Sequence, residues 1–142
     1  MAYPVSPYQQ VGGLYYFPRM ISKIRLHARG ELPADYVPML EKGYNLWLCD
    51  LLGVRYPDLA QTVLENELSD EEALEWCYTQ RGGPLNASQI KIWNGFAAGR
   101  GRKDDRSESL QKELRALNLA DRGIETNFDL FVAEEGHPRP TA

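Results

Sequence analysis

Three side chains that could hold or activate an anion recur at four-residue spacing near the start of the chain. They are Arg19, Lys23 and His27, and the segment around them carries apolar residues at helical spacing. Residues four apart lie on the same flank of a helix. A guanidinium offers two parallel donors, and a neighbouring ammonium lowers the energy of an anion further. The spacing therefore predicts a site for a carboxylate or a phosphate. The alternative is a solvated flank that pairs with acidic residues of this chain.

His27 adds a group that could move a proton. Imidazole titrates near neutrality, and histidine is the side chain most often used in general acid–base catalysis. One hypothesis is therefore a small enzyme without a cofactor, in which His27 exchanges protons while Arg19 and Lys23 stabilise developing negative charge. The alternative is a histidine that packs against apolar neighbours.

Aromatic residues are abundant in this chain and could form the walls of a ligand site. Small-molecule cavities are commonly lined by aromatic side chains with a few polar groups. The further candidates for such a site are Tyr44, Trp47, Trp93 and Asn94. We expect the rings to pack against a flat ligand whose charge is bound by the first helix, with packing in the core as the alternative.

A second cationic segment, from Gly99 to Arg106, combines glycines with basic side chains. Glycines allow successive backbone amides to turn towards one anion. The candidate anion-binding residues of this loop are Arg100, Arg102 and Lys103. The segment follows no predicted strand and lacks the glycine spacing of a dinucleotide loop, so a mobile connection between two helices is the alternative.

Composition and charge exclude several classes of protein. Of the 142 residues, 43% are hydrophobic and 25% are charged, as in a globular domain, and the net charge is −4. The first 30 residues hold four basic and no acidic side chains, whereas residues 31–80 hold eleven acidic and two basic ones. A net acidic chain is poorly suited to gripping nucleic-acid phosphates. With two histidines and two cysteines, we expect no metal site, no cofactor, and buried free thiols at Cys49 and Cys77.

The pattern of apolar residues, glycines and prolines predicts a single compact all-α domain of about six helices. Prolines and glycines near the N-terminus predict an extended arm over residues 1–17. A helical domain over residues 18–132 and a disordered tail over residues 133–142 follow.

Local signals mark several helix boundaries within this domain. The second helix is expected from about residue 38 to residue 52, where a glycine follows. Capping boxes at Ser69 to Glu72 and at Asn86 to Gln89 predict the starts of two later helices. A last helix begins near Asp105.

The sequence also carries expectations about location and assembly. It contains no run of roughly 18 apolar residues and no leader peptide, so we expect a soluble cytoplasmic protein without a membrane partner. The tyrosine-rich arm and a narrow apolar line at Leu110, Leu114 and Leu117 could both dock on a second copy. A homo-oligomer is therefore one further prediction.

Four segments of the chain are distinctive. They read GGLYYFPRMISKIRLHARGELPADY, GYNLWLCDLLGV, SDEEALEWCYTQRG and IKIWNGF. The most specific residues are the Pro18-Arg19 pair with Lys23, Arg25 and Gly30. These segments, within about residues 12–100, resemble a bacterial family known as domain of unknown function 5069. The resemblance implies a small helical domain and supplies no catalytic residues. We expect the helix after Asp105 to be an extension beyond the domain that the family shares.

These observations predict a small helical binding or interaction domain. We expect it to recognise an anionic small molecule or a protein partner through a basic and aromatic surface. The cofactor-free enzyme that uses His27 is the alternative, and nucleic acid is not expected as a partner.

Overall fold

The computed structural model describes residues 2–140. Across these residues the chain forms one short hairpin, seven α-helices and one 3-10 helix. In chain order the elements are β1 (Gln10–Val11), β2 (Leu14–Tyr15), α1 (Phe17–Ala28), the 3-10 helix (Ala34–Met39), α2 (Gly43–Leu52), α3 (Tyr56–Glu65), α4 (Asp70–Arg81), α5 (Ala87–Gly99), α6 (Ser107–Ala116) and α7 (Asn127–Glu135). The prediction of a helical fold is confirmed, and the 3-10 helix and α7 are the elements beyond the expected six helices. None of the helices in residues 2–140 has both the length and the apolar character that a membrane crossing requires.

Helix α1 lies in the interior of the domain. Pro18 occupies its first turn, where the missing N–H has no partner to lose. Phe17 and Met20 are completely buried, and the helix packs against α3, α4 and β1. Because Arg19 and Lys23 are buried as well, this part of the polar flank of α1 faces the interior.

The chain between α1 and α2 differs from the predicted helix over residues 38–52. The 3-10 helix covers Ala34–Met39, and α2 begins only at Gly43. Gly43 has a φ of 55° and Lys42 is extended, so the backbone changes direction there. Residues on both sides of this break line the cavity described below.

The N-terminal arm contains a short hairpin, which differs from the expected extended coil. Strands β1 and β2 pair antiparallel around Gly12 and Gly13, whose φ angles of 57° and 79° suit a tight hairpin turn. Val11 and Leu14 are buried in the main core. Each strand has only two residues, which is too short for an alternating pattern to indicate a strand.

Helix α7 continues to Glu135 and so includes the first residues of the predicted tail. Gly136, with a φ of 72°, ends the helix in the left-handed conformation. The side chain of His137 then reaches back to the Pro4 carbonyl oxygen, at 2.9 Å. Residues 141 and 142 of the predicted tail lie outside the described residues.

Both predicted capping boxes are confirmed. The Ser69 hydroxyl accepts from the Glu72 amide, and the Glu72 carboxylate accepts from the Ser69 amide, at the start of α4. Asn86 and Gln89 make the same reciprocal pair at the start of α5. Each box satisfies two backbone donors that a helix start leaves free.

The apolar line of α6 packs largely within the chain. Leu110 and Leu114 are buried in a small core cluster with Ile124 and Leu130. Leu117 is 44% exposed. Most of the apolar surface of this line is therefore covered by the same chain, and the homo-oligomer stays a prediction.

The two thiols lie in the interior of the fold. Cys49 and Cys77 are free and buried. Burial disfavours the charged thiolate and raises the pKa of each thiol to about 12. Both cysteines therefore act as small apolar core residues.

We predict that Gly101→Ala lowers the free energy of unfolding by about 2 kcal/mol. Gly101 has a φ of 108°, and a Cβ there would lie 2.6 Å from Leu110 Cδ2 and 3.0 Å from the Glu125 carbonyl oxygen. Urea unfolding followed by circular dichroism measures the change. The matched control is Gly95→Ala inside α5, where a Cβ meets nothing within 4 Å. It should raise stability by up to about 1 kcal/mol through helix propensity, and equal stability of the two variants would contradict the prediction.

Candidate functional site

A cavity of about 450 Å³ opens beside the first half of α1. Its walls come from α1, the 3-10 helix, α2, the loop after α5, α6 and α7. The aromatic rings that line it belong to Tyr16, Tyr36, Tyr44, Trp47 and Phe131. Its cationic side chains are Arg19, Lys23, Lys42, Arg100 and Arg106. Its carboxylates are Asp35, Glu113 and Glu134, so basic groups outnumber acidic ones.

The guanidinium of Arg19 is neutralised by a carboxylate of the same chain. Its two terminal nitrogens donate to the two carboxylate oxygens of Glu135, each at 2.7 Å. Both side chains are almost fully buried, with exposed fractions of 2% and 1%. The Tyr36 hydroxyl also donates to Glu135, at 2.6 Å. Arg19 therefore closes α7 against α1, and its terminal nitrogens are already in use.

The ionisation of Glu135 follows from these contacts. Burial is the largest single influence and acts to raise the pKa of Glu135. The hydrogen bonds and charge of Arg19, together with the hydrogen bond from Tyr36, lower this pKa by more than burial raises it. The net result is a pKa of Glu135 below the ordinary 4.5. The carboxylate is consequently ionised at neutral pH.

Lys23 lies one helical turn beyond Arg19 and has a different environment. Its side chain is buried, with an exposed fraction of 9% for the residue, and Nζ donates to the Tyr16 hydroxyl oxygen at 2.6 Å. Among residues 2–140, it forms no salt bridge with a carboxylate. Burial is the main reason that the pKa of Lys23 falls below its ordinary 10.5. An ammonium has three donors, and Tyr16 Oη is its one hydrogen-bond acceptor in the described part of the chain.

Tyr16 is held in an uncommon conformation that aims its hydroxyl at Lys23. It precedes α1 with a φ of 75°, which is rare for a bulky residue. Its ring packs on Tyr44 and Phe128, with centroid distances of 4.9 Å and 5.9 Å. Burial alone would raise its pKa, but the charges of Lys23 and Arg19 lower it below 10.0. Tyr16 and Lys23 thus form a buried pair in which both groups lose a proton more readily than usual.

Arg100 joins a basic and an aromatic wall of the cavity. Its guanidinium carbon lies 5.2 Å from the Trp47 ring centroid, within the range of a cation–π contact. The Nη1 atom of Arg100 also donates to the Asp105 carboxylate at 2.8 Å, and the Asp105 side chain is 81% exposed. This ion pair is open to water and is therefore weak.

Two of the cavity carboxylates also border a neighbouring cavity. Asp35, Tyr36 and Glu134 line this second cavity of about 330 Å³. Burial raises the pKa of Glu134 above 4.5, and the nearby charges of Glu113, Glu135 and Asp35 add to the effect. The lining of the main cavity thus carries both acidic and basic groups, with Lys23 and Arg100 among the basic ones.

The structure brings five of the predicted site residues to one cavity. These residues are Arg19, Lys23, Tyr44, Trp47 and Arg100. Trp93 and Asn94 are elsewhere and hold the hairpin: Trp93 Nε1 donates to the Tyr15 carbonyl, and the Asn94 amide accepts from the Tyr15 amide and donates to the Gly13 carbonyl.

His27 lies away from this cavity. It follows Lys23 by one turn, roughly 12 Å further along the helix axis than Arg19, and it is exposed. It is absent from the lining of the cavity. The nearby Arg25 does pair with the acidic middle of the chain: its Nη1 lies 3.0 Å from Asp70 Oδ1. Catalysis by His27 stays a prediction, and His27 does not line this cavity with Arg19 and Lys23.

The loop after α5 contains its own anion. The Gly101 amide donates to the Asp104 carboxylate at 2.9 Å, and the Arg106 amide does so at 3.0 Å. These hydrogen bonds lower the pKa of Asp104. Arg102 pairs with Glu125, and Lys103 is exposed. A carboxylate of the chain thus already accepts hydrogen bonds from the loop amides. Of the three predicted loop residues, Arg100 lines the cavity and the other two do not.

Several cavity residues were not predicted as site residues. They are Tyr16, Tyr36, Lys42, Arg106 and Phe131. Tyr16 stands seven residues before Lys23, which is two helical turns, so spacing could have indicated that pair. The partner of Arg19, Glu135, stands 116 residues later, and no local pattern indicates it.

Metal chemistry has no obvious donor set in the described residues. Across residues 2–140, no group of three or more histidine, cysteine, aspartate or glutamate side chains is placed to hold a metal ion. The cavity lining itself offers cations, phenols, an amine and carboxylates.

The fold and the cavity define a small helical domain with a buried lysine in a cation- and aromatic-lined site. The chain matches the family model described as "Domain of unknown function (DUF5069)" over residues 1–137, and it belongs to that family. The match includes α6, so the expectation that this helix is an extension beyond the family was wrong. A search of curated proteins finds no match.

Proposed function

We propose that this domain binds a small anionic molecule with a flat apolar part in the cavity beside α1. The observation that carries the proposal is the buried Lys23 ammonium, which lines the cavity without a salt bridge in residues 2–140. A charge buried without a partner is costly to the fold. An anion in the cavity would supply that partner.

The other basic groups of the cavity support an anionic ligand. Lys42 forms no salt bridge within the described residues, and Arg100 has only the exposed Asp105 as partner. Both line the same cavity as Lys23 and can contact a ligand that Lys23 binds. A charge-assisted hydrogen bond to such a ligand is worth roughly 1.5–3 kcal/mol.

The aromatic walls and the size support a flat molecule. A volume of about 450 Å³ lies in the range of small-molecule sites, roughly 300–1,000 Å³. Tyr44 and Trp47 meet edge to face, with centroids 5.6 Å apart, and together offer ring surface to a ligand. A planar anion would use both the rings and the cations.

Isothermal titration calorimetry with phenyl phosphate tests the proposal. Benzyl alcohol serves as a neutral probe with the same ring. We expect phenyl phosphate to bind at least about tenfold more tightly than benzyl alcohol, and Lys23→Met to remove at least about tenfold of that affinity. Lys91→Met is the matched control, because Lys91 is exposed on α5 and is absent from the cavity lining.

Two results would overturn the proposal. One is equal affinity, or no binding, for the anionic and the neutral probe. The other is an equal loss in Lys23→Met and Lys91→Met, since a general charge effect would then explain the binding. Circular dichroism of each variant establishes that the helices are retained.

A further inference from the structure

The geometry points to Lys23 as a nucleophile that forms an imine with the carbonyl carbon of a small 2-oxo acid bound in the cavity. The inference rests on the proposed function, because the carboxylate of the 2-oxo acid is the anion that the cavity binds. It adds a covalent step and a class of substrate. The residues that carry it are Lys23, Tyr16 and Arg100.

The placement of Lys23 is that of a reactive amine. Lys23 lines a cavity large enough for a substrate, and the one hydrogen-bond partner of its Nζ among residues 2–140 is a phenol. A lysine that serves only to stabilise a fold usually pairs with a carboxylate when it is buried. The neighbouring Arg19 has such a partner in Glu135, whereas Lys23 has none in the part of the chain that the structure describes.

Burial and the neighbouring Arg19 shift the protonation equilibrium of Lys23 towards the neutral amine, which is the form that reacts. Only a neutral amine attacks a carbonyl group, and burial together with a nearby cation favours that form. Lys23 is buried and lies one turn from Arg19. The lowered pKa of Lys23 agrees with this geometry.

Tyr16 is positioned to relay the proton that the reaction moves. Its hydroxyl oxygen lies 2.6 Å from Lys23 Nζ, and its backbone holds a φ of 75° that a bulky residue rarely adopts. Strained backbone conformations concentrate at functional sites, because the surrounding structure must maintain them. The strain places the phenol beside the amine.

The reaction balances with water as the one by-product. The nitrogen lone pair of neutral Lys23 attacks the carbonyl carbon, a C–N bond forms as the C=O π bond breaks, and the resulting alkoxide takes a proton from the nitrogen through the Tyr16 hydroxyl. The hydroxyl of this carbinolamine then leaves as water with a second proton, which Tyr16 donates. Tyr16 recovers that proton from the nitrogen, and a C=N bond remains. Meanwhile the substrate carboxylate would contact the basic wall that includes Arg100.

Reductive trapping tests the inference. The protein is incubated with phenylpyruvate and sodium cyanoborohydride, whose hydride adds to the imine carbon and leaves a stable secondary amine. Peptide mass spectrometry then locates the label. We expect Lys23 to be labelled at least about tenfold faster than Lys42, Lys91 or any other lysine of the chain, because Lys23 is buried beside a phenol whereas Lys42 and Lys91 are exposed.

Two variants separate reactivity from charge. Lys23→Arg keeps a positive charge at this position and cannot form an imine, so it should lose the label, whereas Lys91→Met on the exposed face of α5 should keep it. Tyr16→Phe keeps the ring and removes the relay, so it should slow labelling at least about tenfold while Lys23 remains the labelled lysine.

The outcomes distinguish failure of the inference from failure of the proposed function. If phenyl phosphate binds as expected and Lys23 stays unlabelled, the imine inference is overturned and the binding function stands. If exposed lysines are labelled as fast as Lys23, the inference is overturned as well. If phenyl phosphate does not bind, the proposed function fails, and selective labelling of Lys23 would then support only an unusually reactive lysine.

Discussion

Replacing Glu135 with glutamine is expected to lower the free energy of unfolding by about 3–5 kcal/mol. The substitution removes the only carboxylate that pairs with Arg19 within residues 2–140, and the Arg19 side chain is 2% exposed. A glutamine amide cannot accept two guanidinium N–H groups in the same way, so the charge of Arg19 would remain buried and unpaired. Urea unfolding followed by circular dichroism measures the loss.

A neighbouring carboxylate supplies the control for this variant. Glu134 precedes Glu135 on α7, forms no salt bridge in the described residues and lies near other acids. Glu134→Gln should therefore change stability by less than about 0.5 kcal/mol. The double variant Arg19→Met with Glu135→Leu should recover most of the loss, because neither charge remains buried. A Glu135→Gln protein as stable as Glu134→Gln would contradict the prediction.

The pH dependence of Glu135→Gln provides a second readout with a defined sign. The folded pKa of Glu135 lies below the ordinary 4.5. A depressed carboxyl pKa contributes stability above the unfolded value, and this contribution is lost as the pH falls through the folded value. The stability difference between wild type and Glu135→Gln should thus be constant above about pH 5 and shrink in more acidic solution.

Local patterns in the sequence predicted those parts of the fold that local interactions form. The capping box at Ser69 and Glu72 involves residues three apart, and so does the pair Asn86 and Gln89. Their hydrogen bonds depend little on the rest of the chain. The break at Gly43 was missed for the opposite reason, because apolar residues at helical spacing continue across it.

The candidate site was predictable only in part, because its central contacts join distant segments. Arg19 and Lys23 have the same spacing pattern and similar chemistry in the sequence. The structure distinguishes them through Glu135, which lies 116 residues after Arg19 and neutralises it, whereas Lys23 forms no salt bridge within residues 2–140. The spacing of residues along one helix does not indicate which of two basic side chains will pair with a carboxylate far away in the sequence. Trp93 was predicted as a ligand contact, but its indole donates a hydrogen bond to the hairpin instead. The hairpin strands have two residues each, too few for the apolar pattern of the sequence to indicate them.

Replacing Lys23 with methionine is expected to stabilise the protein without ligand by about 2–3 kcal/mol and to remove its affinity for anions. Methionine has a similar length and fills the same space without a charge to desolvate. Lys91→Met on the exposed face of α5 is again the matched control and should change stability by less than about 0.5 kcal/mol. Urea unfolding at neutral pH gives both values.

The pH dependence of this gain follows from the lowered pKa of Lys23. Below the folded pKa the ammonium is charged in both states, and the folded state bears the full cost of burial. Between the folded pKa and the ordinary 10.5 the unfolded chain binds the extra proton, so wild-type stability rises with pH. The lowered pKa of Tyr16 acts in the same direction. The advantage of Lys23→Met should therefore shrink as the pH approaches 10.5.

Groups around Lys23 titrate as well, and comparison of the two proteins separates their effects. Tyr36 and Tyr44 have raised pKa values through burial, which reduces stability at high pH in wild type and variant alike. Arg19 and Glu135 remain ionised throughout this range. The difference between the two proteins at each pH then reports mainly on Lys23 and its partner Tyr16.

A less stable Lys23→Met protein would mean that the hydrogen bond between Lys23 and Tyr16 supports the fold and that the lysine is structural. A more stable protein that has lost phenyl phosphate binding would mean the reverse. In that case the fold would be better served by an apolar side chain at this position, and the retained amine would support a role in binding what enters the cavity.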